Sequence, residues 1–356
     1  MRDTPPISES AHSRAAVTRR QLLLRAGYTA AGLALAHGAE AEQQTPKIVL
    51  GEGDHKYECL HDWLVPPDNI QWGDTQGLAQ DAKGNLYITH TVNKAGESKD
   101  AIVVFDKNGK FLTSWGSRFA GGGHGIDIRK EHGKEVIYHC DTAHRQVVKT
   151  TLTGDVLWEK GLPTEAGVYK EKNPFVPTNV AFAPNGDFYI ADGYGSHWIH
   201  QYNLKGEWIR TFGGPGTEPG KFRTPHGICL DTRREEPLLV ITDRANSRLQ
   251  YFTLDGKYVS MVTEGMRKPC YFGIRDDHMI VADLQSTVTL LDKDNKVVVQ
   301  LGDGAAIPDL RGHPRSDFIP GKFIHPHAAK YLHNGDILVA EYVPIGRITL
   351  LRKMRA

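Results

Sequence analysis

The chain has 356 residues, 40% of them hydrophobic, with 37 glycines and 19 prolines dispersed between short apolar runs. That content excludes a disordered chain and points to many short strands joined by tight turns, an all-β class. A formal net charge of +1 gives no electrostatic footprint for nucleic acid or for an anionic membrane surface.

The first segment differs in kind from the rest. "TRRQLLLRAGYTAAGLALAHGAEA" pairs Arg19 with Arg20, follows them with Leu22 and Leu23, and runs through an Ala/Gly/Leu-rich stretch to Ala39-Glu40-Ala41. This pattern reads as a twin-arginine export signal over residues 1–41, cut after Ala41. Its apolar part, Ala26 to Ala36, is too short to cross ~30 Å of hydrocarbon, so removal is expected, not a stable membrane anchor. The expected location is periplasmic or extracellular. Arg2, Arg14, Arg19, Arg20 and Arg25 against Asp3, Glu9 and Glu40 give the segment a net +2, so its loss takes the chain from +1 to −1. The twin-arginine route carries folded proteins, often with a cofactor in place, which raises the expectation of a metal centre.

Residues 42–356 read as one repeating domain. Copies of a strand–strand–turn–strand unit begin near Gln76 ("QGLAQDAKGNLYITHT"), His124 ("HGIDIRKEHGKEVIYHCDTAHRQVV"), Thr178 ("VPTNVAFAPNGDFYIADGY"), His226 ("PHGICLD" with "LLVITDRANSRLQYF"), Cys270 ("PCYFGIRDDHMIVADL") and His327 ("PHAAKYLHNGDILVAEY"). Their spacings are 48, 54, 48, 44 and 57 residues. Periods in this range with about four strands each mean a propeller, here six-bladed. The stretch around Lys47 to Tyr57 has no unit of its own and is expected to complete the last blade. Cys59, Cys140, Cys229 and Cys270 lack C-x-x-C spacing and read as scattered structural thiols.

In a propeller the innermost strands line the central channel, so equivalent residues at their starts form a ring. Here the ring is Gln76, His124, Thr178, His226, Cys270 and His327, with histidines in alternate blades separated by 102 and 101 residues. Three neutral imidazoles converging on an axis leave an open position on a shared ion, the arrangement of a catalytic metal. Zinc is the expected ion; imidazole equally accepts other transition metals. A second ring, His90, Asp141, Asp192, Asp243, Asp283 and Glu341, closes the next strands and reads as structural, its acids accepting turn N–H groups. Beside it stand Thr91, Thr142, Gly193 with Tyr194, Arg244, Leu284 and Tyr342.

The pieces "GKFRTPHGI", "DRANSR" and "LDGKYV" resemble the NHL-repeat propellers over roughly residues 70–352. Within that group, "HGIDI" with "DTAHRQV", "YIADGY", "GKFRTPHGICL" with "DRANSRLQYF", and "FIHPHA" resemble the catalytic core of peptidyl-α-hydroxyglycine α-amidating lyase. The resemblance implies zinc on His124, His226 and His327, with Tyr194 beside the metal and Arg244 lining the site as catalytic groups. The chain departs from the pattern in four places, one being that the family's disulfide cysteines are not matched, since "DGYG" has none. Thr91 stands where the family has a substrate-binding arginine. Ala328 replaces a carboxylate tied to structural calcium, so calcium is not expected. His325 replaces a methionine and is a candidate additional ligand.

The implied reaction is a carbon–nitrogen lyase step: a carbinolamide, N–CH(OH)–C, loses its hydroxyl proton and its C–N bond cleaves to an aldehyde and an amide. A small molecule or short peptide is the expected partner. Three alternatives stand beside this reading: a non-enzymatic NHL-type binding scaffold, a metal-dependent hydrolase using the same three histidines, and a calcium-dependent lactonase, which needs axial oxygen donors. Substrate, native metal and oligomeric state are not set by the sequence.

Overall fold

The computed structural model describes residues 46–355; the export signal read in residues 1–41 lies outside them. Among the described residues there is no α-helix, only strands and five short 3-10 turns, and no helix is long and apolar enough to cross a membrane. The strands form six antiparallel sheets. Each innermost strand carries one copy of the ring: Thr75–Gln80, Gly123–Glu131, Asn179–Phe182 (just after Thr178), Pro225–Asp231, Pro269–Arg275 and Pro326–Tyr331. The chain is a six-bladed β-propeller.

Strand periodicity builds the core. Side chains alternate between the two faces of each blade, so Leu86 and Ile88 of the first blade pack against the sixth, while Tyr87 between them packs against the second. Six apolar layers result, one at each blade-to-blade interface. Tyr57–Leu60 pairs antiparallel with the final strand Arg347–Lys353, and Val49–Leu50 adds a short fifth strand outside it. The early segment therefore completes the last blade, as its lack of a unit implied, and the layer between blades one and six is packed like the others. All four cysteines are free thiols.

Candidate metal centre

The three histidines reach the axis because the ladder is broken where they sit. The pairing register shifts between Gly123 and Ile126, between Pro225 and Ile228, and between Pro326 and Ala328, so His124, His226 and His327 each lie in a β-bulge. A bulge re-aims a side chain that a regular pleat would hold perpendicular to the sheet. Gln76 and Cys270 occupy the same irregularity in blades one and five. The imidazole centroids are 4.7–4.9 Å apart and the rings are 2–4% exposed.

Each ring is oriented by a carbonyl of the following blade. His124 Nδ1 donates to Thr178 O at 2.7 Å, His226 Nδ1 to Cys270 O at 3.1 Å, and His327 Nδ1 to Gln76 O at 3.0 Å across the closing seam. With the proton on Nδ1, the Nε2 lone pair of each ring faces the axis. The glycines that follow two of these histidines belong to the same device. A Cβ on Gly125 would lie 2.3 Å from Thr178 O, and one on Gly227 would lie 2.3 Å from Cys270 O. These are the carbonyls that accept the Nδ1–H groups, and only glycine leaves them room.

Three acceptor atoms now face one another. His124 and His226 bring their Nε2 atoms to 3.2 Å, and the buried Nε2 of His327 has no hydrogen-bond partner. Burial holds all three rings neutral, His124 down to about 3 and the other two well below their ordinary range, with Arg244 adding to the effect. One hydroxyl hydrogen, from Tyr194, is available to them: its oxygen lies 2.9 Å from His226 Nε2 and 3.2 Å from His124 Nε2. A lone-pair-rich, proton-poor pocket of this kind calls for a cation. Two ligands of one ion at ~2.0–2.1 Å and a near-tetrahedral angle stand ~3.3 Å apart, close to the observed separation. Among the described residues this is the one cluster of His, Cys, Asp or Glu with metal-ligand spacing.

Tyr194 and Arg244 are held by neighbouring turns. Tyr194 N–H donates to Val176 O, and Asp192 accepts Val176 N–H and Ser196 N–H at 2.7 Å each, which fixes the loop on both sides of the tyrosine. Arg244 donates from one Nη to Tyr194 Oη at 3.2 Å and to Cys270 Sγ at 3.8 Å, with its guanidinium over the Tyr194 ring. Burial raises the Tyr194 phenol above its ordinary range, and the Arg244 charge opposes that shift. The same turn anchors His226: Arg223 N–H donates to Asp243 at 2.7 Å, and Arg244 N–H donates to Thr224 O. Thr224 is thereby kept at φ 66°, a left-handed conformation that is costly for a β-branched residue before proline.

No protein-family model matches the chain. Curated proteins do. Peptidyl-glycine alpha-amidating monooxygenase B of Xenopus laevis is 29% identical over 240 residues, covering 60% of this chain and 26% of that protein. Peptidyl-alpha-hydroxyglycine alpha-amidating lyase 1 of Drosophila melanogaster is 27% identical over 239 residues, 58% of this chain and 42% of that one. Human NHL repeat-containing protein 3 is 26% identical over 234 residues, 62% and 65%. The chain is a six-bladed propeller that resembles the amidating lyases and the NHL repeat-containing proteins. It spans well under half the length of those two amidating relatives. Virginiamycin B lyase of Staphylococcus aureus shares the fold alone, with a TM-score of 0.54, 13% identity, and coverage of 84% of this chain and all of the other.

Against the amidating-lyase pattern the departures now have surroundings. Thr91 Oγ1 accepts Asp74 N–H at 3.0 Å, which ties it to the segment leading into the first strand of its blade. Arg311 arrives at the same corner from the connection between blades five and six, bonds Asp74 at 2.6 Å and lies 4.1 Å over the Tyr342 ring. His325 turns its Nε2 to Asp309 at 3.0 Å and stands outside the converging cluster. Ala328 lines a small cavity beside the histidines. The acids of the second ring take turn N–H groups: Asp141 from His144, Asp283 from Arg267 and Lys268, Glu341 from Ile324. Sequence reading missed Arg311, although the 57-residue spacing before His327, the longest of the five, marks the extended connection that supplies it.

Proposed function

We propose that the chain is an exported, zinc-dependent carbon–nitrogen lyase acting on a small hydroxylated substrate at the axis of the propeller. The observation that carries this reading is the convergence of three neutral Nε2 atoms, one of them buried and partnerless, against a single tyrosine hydroxyl. The resemblance to the amidating lyases supports the reaction type, and Arg19–Arg20 with the Ala39-Glu40-Ala41 site supports export.

His124, His226 and His327 would hold the ion, which when bound supplies a Lewis acid that lowers the pKa of a substrate hydroxyl. Tyr194 stands within hydrogen-bond reach of two of the three ligand atoms, the place from which its oxygen can take that hydroxyl proton. Arg244 favours the phenolate by charge and by its hydrogen bond. As the C–O bond becomes a carbonyl, the C–N electron pair leaves with the nitrogen, which takes the proton back from Tyr194. Aldehyde and amide result, with atoms and charge balanced.

The substrate we propose is not a peptide ending in α-hydroxyglycine. Thr91 offers no cation for a carboxylate, and the nearby Arg311 is already neutralised by Asp74. The test is zinc content of the purified protein together with turnover of uncharged carbinolamides. Aldehyde release that requires zinc is expected. A protein that neither contains nor takes up a transition ion would favour a binding scaffold, and zinc-dependent ester or lactone cleavage without C–N cleavage would favour a hydrolase.

A further inference from the structure

The ring contains three side chains that are not histidine, and two of them are occupied. Thr178 Oγ1 bonds Ala191 O and Pro225 O at 3.2 Å each, and Cys270 Sγ accepts from Arg244. Gln76, between His327 and His124 in the ring, is 6% exposed, and among the described residues its carboxamide has no hydrogen-bond partner. It lines the same small pocket as all three histidines. The other polar side chains there are engaged: Asn179 Oδ1 accepts Ile228 N–H at 3.3 Å, and Tyr271 donates its hydroxyl to Asp127.

With no protein group holding it, that carboxamide is free to serve a ligand at the axis. Gln76 sits in a bulge at the same depth as the histidines, so its side chain is aimed as theirs are. Its backbone oxygen already fixes the His327 ring, which ties its position to that ligand. We propose that Gln76 is a fourth protein donor of the centre, its Oε1 facing the cation held by His124, His226 and His327. Only the amide oxygen has lone pairs to offer; the NH2 group would repel a cation. This inference rests on the metal reading above. It assigns the centre an N3O donor set in which the oxygen ligand is neutral, leaving the net charge of the ion uncompensated by the protein and available to polarise a substrate.

The experiment titrates metal-free wild type, Gln76→Ala and Gln76→Glu with zinc against a competing chelator, and with cobalt(II) while visible absorption is recorded. Expected are zinc binding at least tenfold weaker for Gln76→Ala, tighter binding for Gln76→Glu, whose carboxylate is the stronger donor, and cobalt bands that differ among the three. Equal affinities and superimposable cobalt spectra would overturn the assignment and leave the three-histidine centre standing. A wild type that takes up neither ion would overturn both. Gln76→Glu keeps the length and shape of the side chain, so its titration decides the matter even where Gln76→Ala loses its fold.

Discussion

His226 and Gly227 are neighbours in the chain that serve one atom in the next blade: the carbonyl oxygen of Cys270 accepts the His226 Nδ1–H at 3.1 Å and occupies the space a Gly227 side chain would need. Gly227→Ala should therefore push that carbonyl away and free the imidazole to turn. Zinc affinity is expected to fall 10–100-fold, the usual effect of losing a group that orients a ligand, with about 1–3 kcal/mol of destabilisation from overpacking. Chelator competition and urea unfolding measure the two, and unchanged zinc affinity would sever the link between the glycine and the tautomer.

Replacing His226 with Ala removes one of three converging donors. The wild type should carry about one equivalent of zinc and the variant none. Elemental analysis of both proteins decides it; a variant that retains a full equivalent places the ion elsewhere.

Tyr194→Phe keeps the ring that lies under Arg244 and deletes the hydroxyl that faces the histidines. Turnover should drop by ~10²-fold or more while zinc content is unchanged. Steady-state rates on a carbinolamide provide the check, and a wild-type rate would reduce Tyr194 to a wall.

Thr91→Arg adds a cation at the first-blade position, where Arg311 is already paired with Asp74. A charge-assisted pair of roughly 1.5–3 kcal/mol corresponds to a ten- to more than hundredfold gain in binding a peptide that ends in α-hydroxyglycine. The wild type should prefer uncharged carbinolamides over that peptide, and the variant should reverse the order. If the wild type already prefers the peptide, the substrate proposal fails.

Acid should weaken the fold at sites remote from the metal. Burial pushes His139 and His200 down to about 3, so below pH 6.5 the unfolded chain takes protons there that the folded chain refuses. Stability is thus fully present above about pH 6.5 and declines as pH falls toward 3, by about 2 kcal/mol per histidine at pH 5. Urea midpoints of the metal-free protein at pH 7 and pH 5 should differ, and His200→Gln should shrink the difference. Midpoints that do not move would contradict the neutral, buried state.

The ring was legible because a propeller repeats one register six times, so that His124, His226 and His327 align by counting alone. Tyr194 and Arg244 followed the second ring in the same way, each standing one or two residues beyond an aspartate whose turn the structure shows tied to the backbone. Arg311 and Asp309, the partner of His325, were not legible. They come from the connection between Leu301 and Pro326, which has no counterpart in the other blades, and contacts such as Arg311 with Asp74 join residues with no common period. Tautomers were hidden for a related reason: a carbonyl has no letter in a sequence, and Thr178, Cys270 and Gln76 act through theirs.

Blade six is assembled from both ends of the domain, Tyr57–Leu60 lying against Arg347–Lys353, and the His327 ring takes its orientation from Gln76 only once the first and last blades touch. A growing chain cannot satisfy either contact until nearly all of it has been synthesised. Every shorter intermediate holds at most two oriented donors, too few to retain an ion firmly. On the metal reading, the three oriented donors exist together only after the ring has shut, so a half-made chain would not hold an ion in the final geometry.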